Sequence, residues 1–214
     1  QEKGGCAVAL FPMFVDLEGK HCLVVGGGAV ALRKARSILK CGARVAAVAP
    51  SFVPGWEETD VRLVHRPFEP EDLRDAALVV AATDDERLNR AVADACRDAH
   101  VPVNAANAPE AGTFFFPAIV RRGPLTVGVS TDGASPAASA YVRKTIEEAL
   151  PGDWFGEVIE YLASVRDDVK QNVPGEHMRA HVFHVLFEAC MERQRPLTEE
   201  EFRAVCRAAK EATE

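Results

Sequence analysis

The sequence predicts an open, doubly wound α/β sheet, followed by a small all-helical carboxy-terminal region. Three observations carry this. Cys22–Val25 is an apolar, Val-rich run that stops on Gly26, Gly27 and Gly28 and passes into helix-forming sequence. Ala77–Ala82 is an unbroken apolar run, as expected of a strand buried on both faces of a parallel sheet. From Ala134 onward the strand signals stop and only helical periodicity remains.

The elements follow in order. Phe11–Leu17 suggests a short edge segment, ended by Glu18-Gly19-Lys20. After the first strand, Ala29–Lys40 reads as a helix with Val30, Ala35, Ile38 and Leu39 towards one face, stopped at Gly42. Arg44–Ala49 and Val61–His65 read as the second and third strands, with Phe52–Asp60 a surface connection or short helix between them. Pro67–Pro70 leads into a short acidic helix. Ala77–Ala82 is the fourth strand, and Thr83-Asp84-Asp85 caps a helix over Glu86–Ala99. Val101–Asn104 and Leu125–Val129 are expected as fifth and sixth strands, which completes the alternating pattern. Ser135 and Pro136 have the form of a cap and first helical residue for a helix to Leu150. Trp154–Val169, Gly175–Arg193 and Thr198–Ala212 read as further helices, the last with a Thr198/Glu201 capping box.

Strand, glycine turn and helix together give Gly26-x-Gly28-x-x-Ala31, the dinucleotide-binding spacing with alanine in the third small position. Gly26 allows the tight turn, Gly28 lets backbone approach a pyrophosphate, and Ala31 lets helix and strand pack closely. The helix N-terminus offers free N–H groups to phosphate. Ligands of such sheets sit outside the carboxyl ends of the strands. Five clusters are therefore expected on one rim: Gly26–Val30, Pro50–Ser51, Ala82–Asp85, Asn104–Asn107 and Ser130–Asp132.

Bulk properties bound the function. The chain has 214 residues, 48% of them hydrophobic, enough for a sizeable core. A net charge of −7 argues against a general nucleic-acid binder. The six cysteines (Cys6, Cys22, Cys41, Cys96, Cys190 and Cys206) include no C-x-x-C pair, so thiols used as small apolar residues in a reducing cytoplasm are expected. No apolar run reaches the ~20 residues of a membrane span, and Gln1–Leu10 lacks the layout of a secretory signal. His177, His181 and His184 share one helical stripe above Glu188. Imidazoles at that spacing can bind a transition metal, but more often they form a polar helix flank.

These residues resemble the precorrin-2 dehydrogenase family, which includes bifunctional dehydrogenase–ferrochelatases and the front half of siroheme synthases. The likeness rests on Leu23–Lys34, Arg66–Phe68, Ala81–Asp85 with Asn89, Phe115–Pro117, Arg122–Leu125 and Ser130–Pro136. It implies NAD-dependent oxidation of precorrin-2 to sirohydrochlorin by a homodimer whose subunits exchange contacts through about 114–150. It also implies a Rossmann-type domain over 1–113 and a helical domain over 151–214, with chelatase activity left open. Cofactor contacts carry over to Ala29, Val30, Pro50 and Ser51, with Thr83 beside them. Asn104, Ser130 and Thr131 become expected substrate contacts, and Arg121, Arg122 and Arg143 the expected anchors for a polycarboxylate.

Two departures matter. The acid expected about twenty residues beyond the glycines is absent, since the second strand ends in Ala49-Pro50-Ser51; NAD rests on the family preference. Where the family carries its proposed catalytic acid, this chain has Asn107. An amide hydrogen-bonds but does not accept a proton as a carboxylate does. Asp132 is the best remaining acid on the expected rim. The sequence leaves three readings: an enzyme that uses another group or none, a disabled variant or tetrapyrrole carrier, and a nucleotide-sensing regulator on the same fold.

Overall fold

The computed structural model describes residues 10–211, and Cys6 lies outside them. The chain divides into two compact units, Phe11–Phe116 and a second containing Pro117–Glu214.

In the first unit, five strands form one parallel sheet in the order β3-β2-β1-β4-β5. They are β1 (His21–Val25), β2 (Arg44–Val48), β3 (Arg62–Val64), β4 (Leu78–Ala81) and β5 (Val103–Ala105). β4 is buried at every position, as its unbroken apolar run predicts. Alternate strand residues face opposite layers. Cys22, Val24, Val45, Ala47 and Val80 pack against helix α1 (Ala29–Leu39), whereas Leu23, Val79, Ala81 and Val103 pack against α2 (Glu86–Asp98). This is the doubly wound arrangement. Asp85 caps α2, its carboxylate accepting from the N–H groups of Arg87 and Leu88.

Several local expectations are corrected. Phe11–Leu17 forms no strand; Phe11, Met13, Phe14 and Val15 are exposed and only Leu17 is buried. Phe52–Asp60 is the connection, the first of its two expected forms, whereas the short acidic helix is a 3₁₀ turn, Pro70–Leu73. On α1 the buried face is Ala31, Leu32, Ala35 and Ile38, while Val30 is 41% exposed. At ~100° per residue Val30 lies about 130° around the helix from the centre of that face, so it points away from the sheet.

Leu125–Val129 (β7) is a strand, but not a member of the parallel sheet. It pairs antiparallel with β6 (Ala118–Arg122), which the sequence reading missed. Arg122 pairs with Leu125 across Gly123-Pro124, and Gly123 takes φ +52°, the left-handed value glycine adopts without penalty. A Cβ on Gly123 would lie 2.9 Å from Gly156 Cα, so the hairpin turn rests on the first turn of α4 (Trp154–Ser164).

The rest of this unit is helical: α3 (Pro136–Ala149), α4, α5 (Arg166–Asn172), α6 (Glu176–Arg193) and α7 (Glu199–Glu211). Ser135 caps α3, and Thr198 and Glu201 form the expected reciprocal cap on α7. The helix expected over Trp154–Val169 is two helices, because the chain leaves α-helical geometry at Val165 (φ −85°, ψ 0°). Val158, Val169, Val173, Val182, Leu186 and Cys190 form their core. α3 buries none of its side chains, and Tyr141 upon it is 73% exposed.

Candidate functional site

The strand order reverses between β1 and β4, so the loops leaving their carboxyl ends part and open a crevice. A cleft of about 500 Å³ lies there. Gly26, Gly28, Pro50, Ser51 and Thr83 line it, together with Phe52, Pro67, Phe68 and Asp85, while Ala29 and Val30 follow at the start of α1.

The three glycines do different work. Gly26 has φ +127°, and a Cβ there would lie 2.5 Å from the Ala82 carbonyl oxygen, so it lets β1 turn against the β4 loop. Gly28 is extended, and a Cβ would meet nothing within 4 Å: its space opens on the cleft. Gly27 was assigned no role from sequence and is the most constrained. A Cβ there would lie 1.9 Å from the Ser51 carbonyl oxygen. Its own carbonyl accepts from Val53 N–H and from Trp56 Nε1, each at 2.9 Å. Trp56, 1% exposed, thereby pins the loop after β2 onto the glycine turn. Phe52 packs edge-on against Trp56 and His65.

α1 starts at Ala29 with no side-chain cap and no acid in its first turn. The first intrahelical bond is Leu32 N–H to the Gly28 carbonyl, so the N–H groups of Ala29 and Val30 have no helical acceptor. An uncapped, acid-free N-terminus beside open backbone suits an anionic group, here a pyrophosphate. Opposite, Arg66 grips Asp72 through two hydrogen bonds (2.8 and 2.5 Å), and Asp72 accepts from Glu69 N–H, which fixes the Pro67-Phe68 wall. Arg66 holds the Asp72 carboxyl below its ordinary pKa.

Asn107 lies on the exposed loop after β5, and its Oδ1 accepts a hydrogen bond from Asn89 Nδ2. Asn89 is fully buried on α2 and also holds Thr83. In sequence it stands only as part of the motif with Ala81–Asp85, and spacing alone does not reveal partners six and eighteen residues away.

Asn104 is 6% exposed and already committed: Nδ2 donates to the Phe114 carbonyl at 3.0 Å and Oδ1 accepts from Lys34 Nζ at 2.9 Å. Lys34 also lies 4.1 Å from the centre of the Phe116 ring. Burial, with Arg33 alongside, lowers the Lys34 pKa to about 8. Asn104 thus ties β5 to α1 and to the segment that leaves the unit.

The fifth expected rim cluster does not follow a strand of the parallel sheet. Ser130, Thr131 and Asp132 follow β7 and belong to the second unit, so only four clusters leave the parallel sheet. Thr131 Oγ1 bonds to Ser135 and Ser139, and Asp132 takes φ +52° in a turn closed by Ala134 N–H to the Thr131 carbonyl, its own N–H donating to Ser130 Oγ. Arg121 and Arg122 close the hairpin; Arg143 is gripped by both Glu147 oxygens at 2.6 Å. His177 and His181 share α6 with His184, which pairs with Glu188 at 3.3 Å. Among the described residues no three His, Cys, Asp or Glu side chains gather to hold a metal.

Comparison with known proteins agrees with this geometry. Residues 13–118 match a family described as "Putative NAD(P)-binding", and residues 122–149 one described as "Sirohaem biosynthesis protein central". The siroheme synthase of Nitrosomonas europaea is 39% identical over 168 residues, which is 75% of this chain and 34% of that protein. That of Thioalkalivibrio sulfidiphilus is 38% identical over 182 residues, 83% of this chain and 37% of that protein. The chain therefore spans little more than a third of these relatives. A solved structure titled "SirC, precorrin-2 dehydrogenase" superposes with a TM-score of 0.67 at 24% identity, covering 94% of this chain and all of that one, which establishes the shared fold. The chain thus carries a match to an NAD(P)-binding family followed by one to a sirohaem-biosynthesis central family, and over three quarters or more of its length it is similar to siroheme synthases.

Proposed function

We propose that this chain binds NAD in the β1–β4 cleft and oxidises precorrin-2 to sirohydrochlorin. The observation that carries the cofactor reading is the uncapped α1 N-terminus beside Gly28, where backbone is open to a pyrophosphate. Bound there, NAD would accept the hydride the substrate loses. Gly28, Ala29 and Val30 supply backbone for the phosphates, and Pro50 and Ser51 border the ribose. Thr83, held by Asn89, sits on the far wall. NAD rather than NADP follows the family preference, since the end of β2 carries no acid to select against a 2′-phosphate.

Oxidation of a saturated tetrapyrrole also releases a proton. Asn107 does not take it as a carboxylate would, and the reaction gains conjugation, so orientation of the two reactants is the larger part of the work. Ser130, Thr131, Arg121 and Arg122 are the residues assigned to the polycarboxylate in this reading, with Asp132 as the alternative acid. Arg143 is the weaker anchor because Glu147 already meets its charge. A homodimer joined through about 114–150 is supported by α3, whose exposed Tyr141 and Val142 a second copy would cover.

A second reading, binding without turnover, is favoured by Asn107 itself. Mixing the chain with NAD and precorrin-2 without oxygen separates the two. Sirohydrochlorin absorbance from the unmodified chain establishes the enzyme. Absorbance only from Asn107→Asp establishes a disabled site, and none from either rejects the dehydrogenase.

A further inference from the structure

Asn89 is a neutral polar side chain with 0% exposure on α2, and every hydrogen-bonding group it has is used. Oδ1 accepts from Thr83 N–H at 3.0 Å and from Thr83 Oγ1 at 2.8 Å. Nδ2 donates to the Thr83 carbonyl at 3.0 Å and to Asn107 Oδ1. The backbone decides which way this amide points. A backbone N–H only donates, so oxygen must face it, and the nitrogen must face the Thr83 carbonyl and residue 107. Position 107 therefore meets a fixed donor and turns an oxygen inwards. Its second atom, Nδ2, lies 3.5 Å from the Thr83 carbonyl.

We propose that Asn89 is a positioning residue that locks the side chain at 107 to the cleft wall at Thr83. Both an amide and a carboxylate satisfy the lock, because each offers the inward oxygen. Substitution at 107 thus changes only the other atom, N–H in this chain and oxygen in a carboxylate. The cost of losing Asn89 falls on geometry at 107 and Thr83 together. This deepens the proposed function, which places both residues in the site.

NMR tests it without substrate. In the Asn107→Ala chain, a change on an exposed loop, the Asn89 side-chain amide should shift and exchange faster, while that of Asn104, held by Phe114, stays unchanged. An unmoved Asn89 amide overturns the proposal. In the Asn107→Asp chain the introduced carboxyl should titrate about one pH unit lower with Asn89 present than with Asn89→Ala, since the donor favours its charged form. Equal values also overturn it. Should Asn89→Ala not fold, the first readout stands alone, because it keeps Asn89. Intact coupling without sirohydrochlorin formation rejects the dehydrogenase and spares this inference; turnover without coupling does the reverse.

Discussion

Replacing Gly27 by alanine adds one methyl group at the point where two loops are closest. The new Cβ would lie 1.9 Å from the Ser51 carbonyl oxygen and 3.1 Å from the Ala49 Cβ. Ordinary contact begins at about 3.5 Å, so the glycine turn and the loop after β2 must part by more than an ångström. That separation breaks the bonds from Val53 N–H and Trp56 Nε1 to the Gly27 carbonyl, both 2.9 Å long. Each is worth ~1 kcal/mol net, and a buried indole N–H without a partner costs ~1–3 kcal/mol. Gly27→Ala should therefore destabilise the chain by about 2–4 kcal/mol in urea denaturation. Gly28→Ala is the control. Its Cβ meets nothing within 4 Å and its backbone is extended, so stability should hold. That methyl instead enters the space assigned to pyrophosphate, so NAD affinity measured by calorimetry should fall at least about tenfold, equivalent to ~1.4 kcal/mol. A Gly27→Ala chain as stable as the unmodified one would refute the packing argument. A Gly28→Ala chain that binds NAD normally would refute the phosphate assignment.

Other outcomes follow from the same coordinates. The Lys34 ammonium has its pKa lowered to about 8 by burial and by Arg33, so between about 8 and the ordinary 10.5 the unfolded chain binds more protons than the folded one. Stability from this group therefore rises with pH across that window. Cys22 and Cys96, pushed up to about 11 and 12 by burial, act in the opposite sense, so the difference between the unmodified and Lys34→Met chains isolates it; identical pH slopes would contradict the assignment. Glu201 is held down to about 2, chiefly by Arg195 and then by the Thr198 N–H, so its contribution is complete above the ordinary 4.5 and lost as pH falls towards 2. Glu201→Gln should flatten that acid-side loss of helix, read by circular dichroism. Asp85→Ala removes the α2 cap and should cost ~1 kcal/mol in urea denaturation; no change would show that the cap bonds contribute nothing.

Local chemistry made much of the first unit legible. A Val-rich run, a glycine turn and a capped helix each depend on neighbours in sequence, and β1, α1, β4 and α2 fall close to where the residues predict. What was hidden depends on partners far along the chain. The need for glycine at 27 is set by Ser51, and the role of Asn89 by Thr83 and Asn107. β7 is legible as a strand, but a five-residue strand signal does not say which strand it pairs with. Its partner β6 ends in Arg121-Arg122, charges that disguise a strand lying in a small hairpin. Val30 falls outside the buried face of Ala31, Leu32, Ala35 and Ile38, whose phase apolar periodicity alone does not fix in so alanine-rich a helix.

The central claim is that the glycine turn and the α1 N-terminus receive a dinucleotide. Adding NAD to the isotope-labelled chain and following backbone amides tests it most directly. The largest shifts should fall at Gly28, Ala29 and Val30, with smaller ones at Ser51 and Thr83. No shifts at saturating NAD, or shifts confined to residues away from this turn, would contradict it.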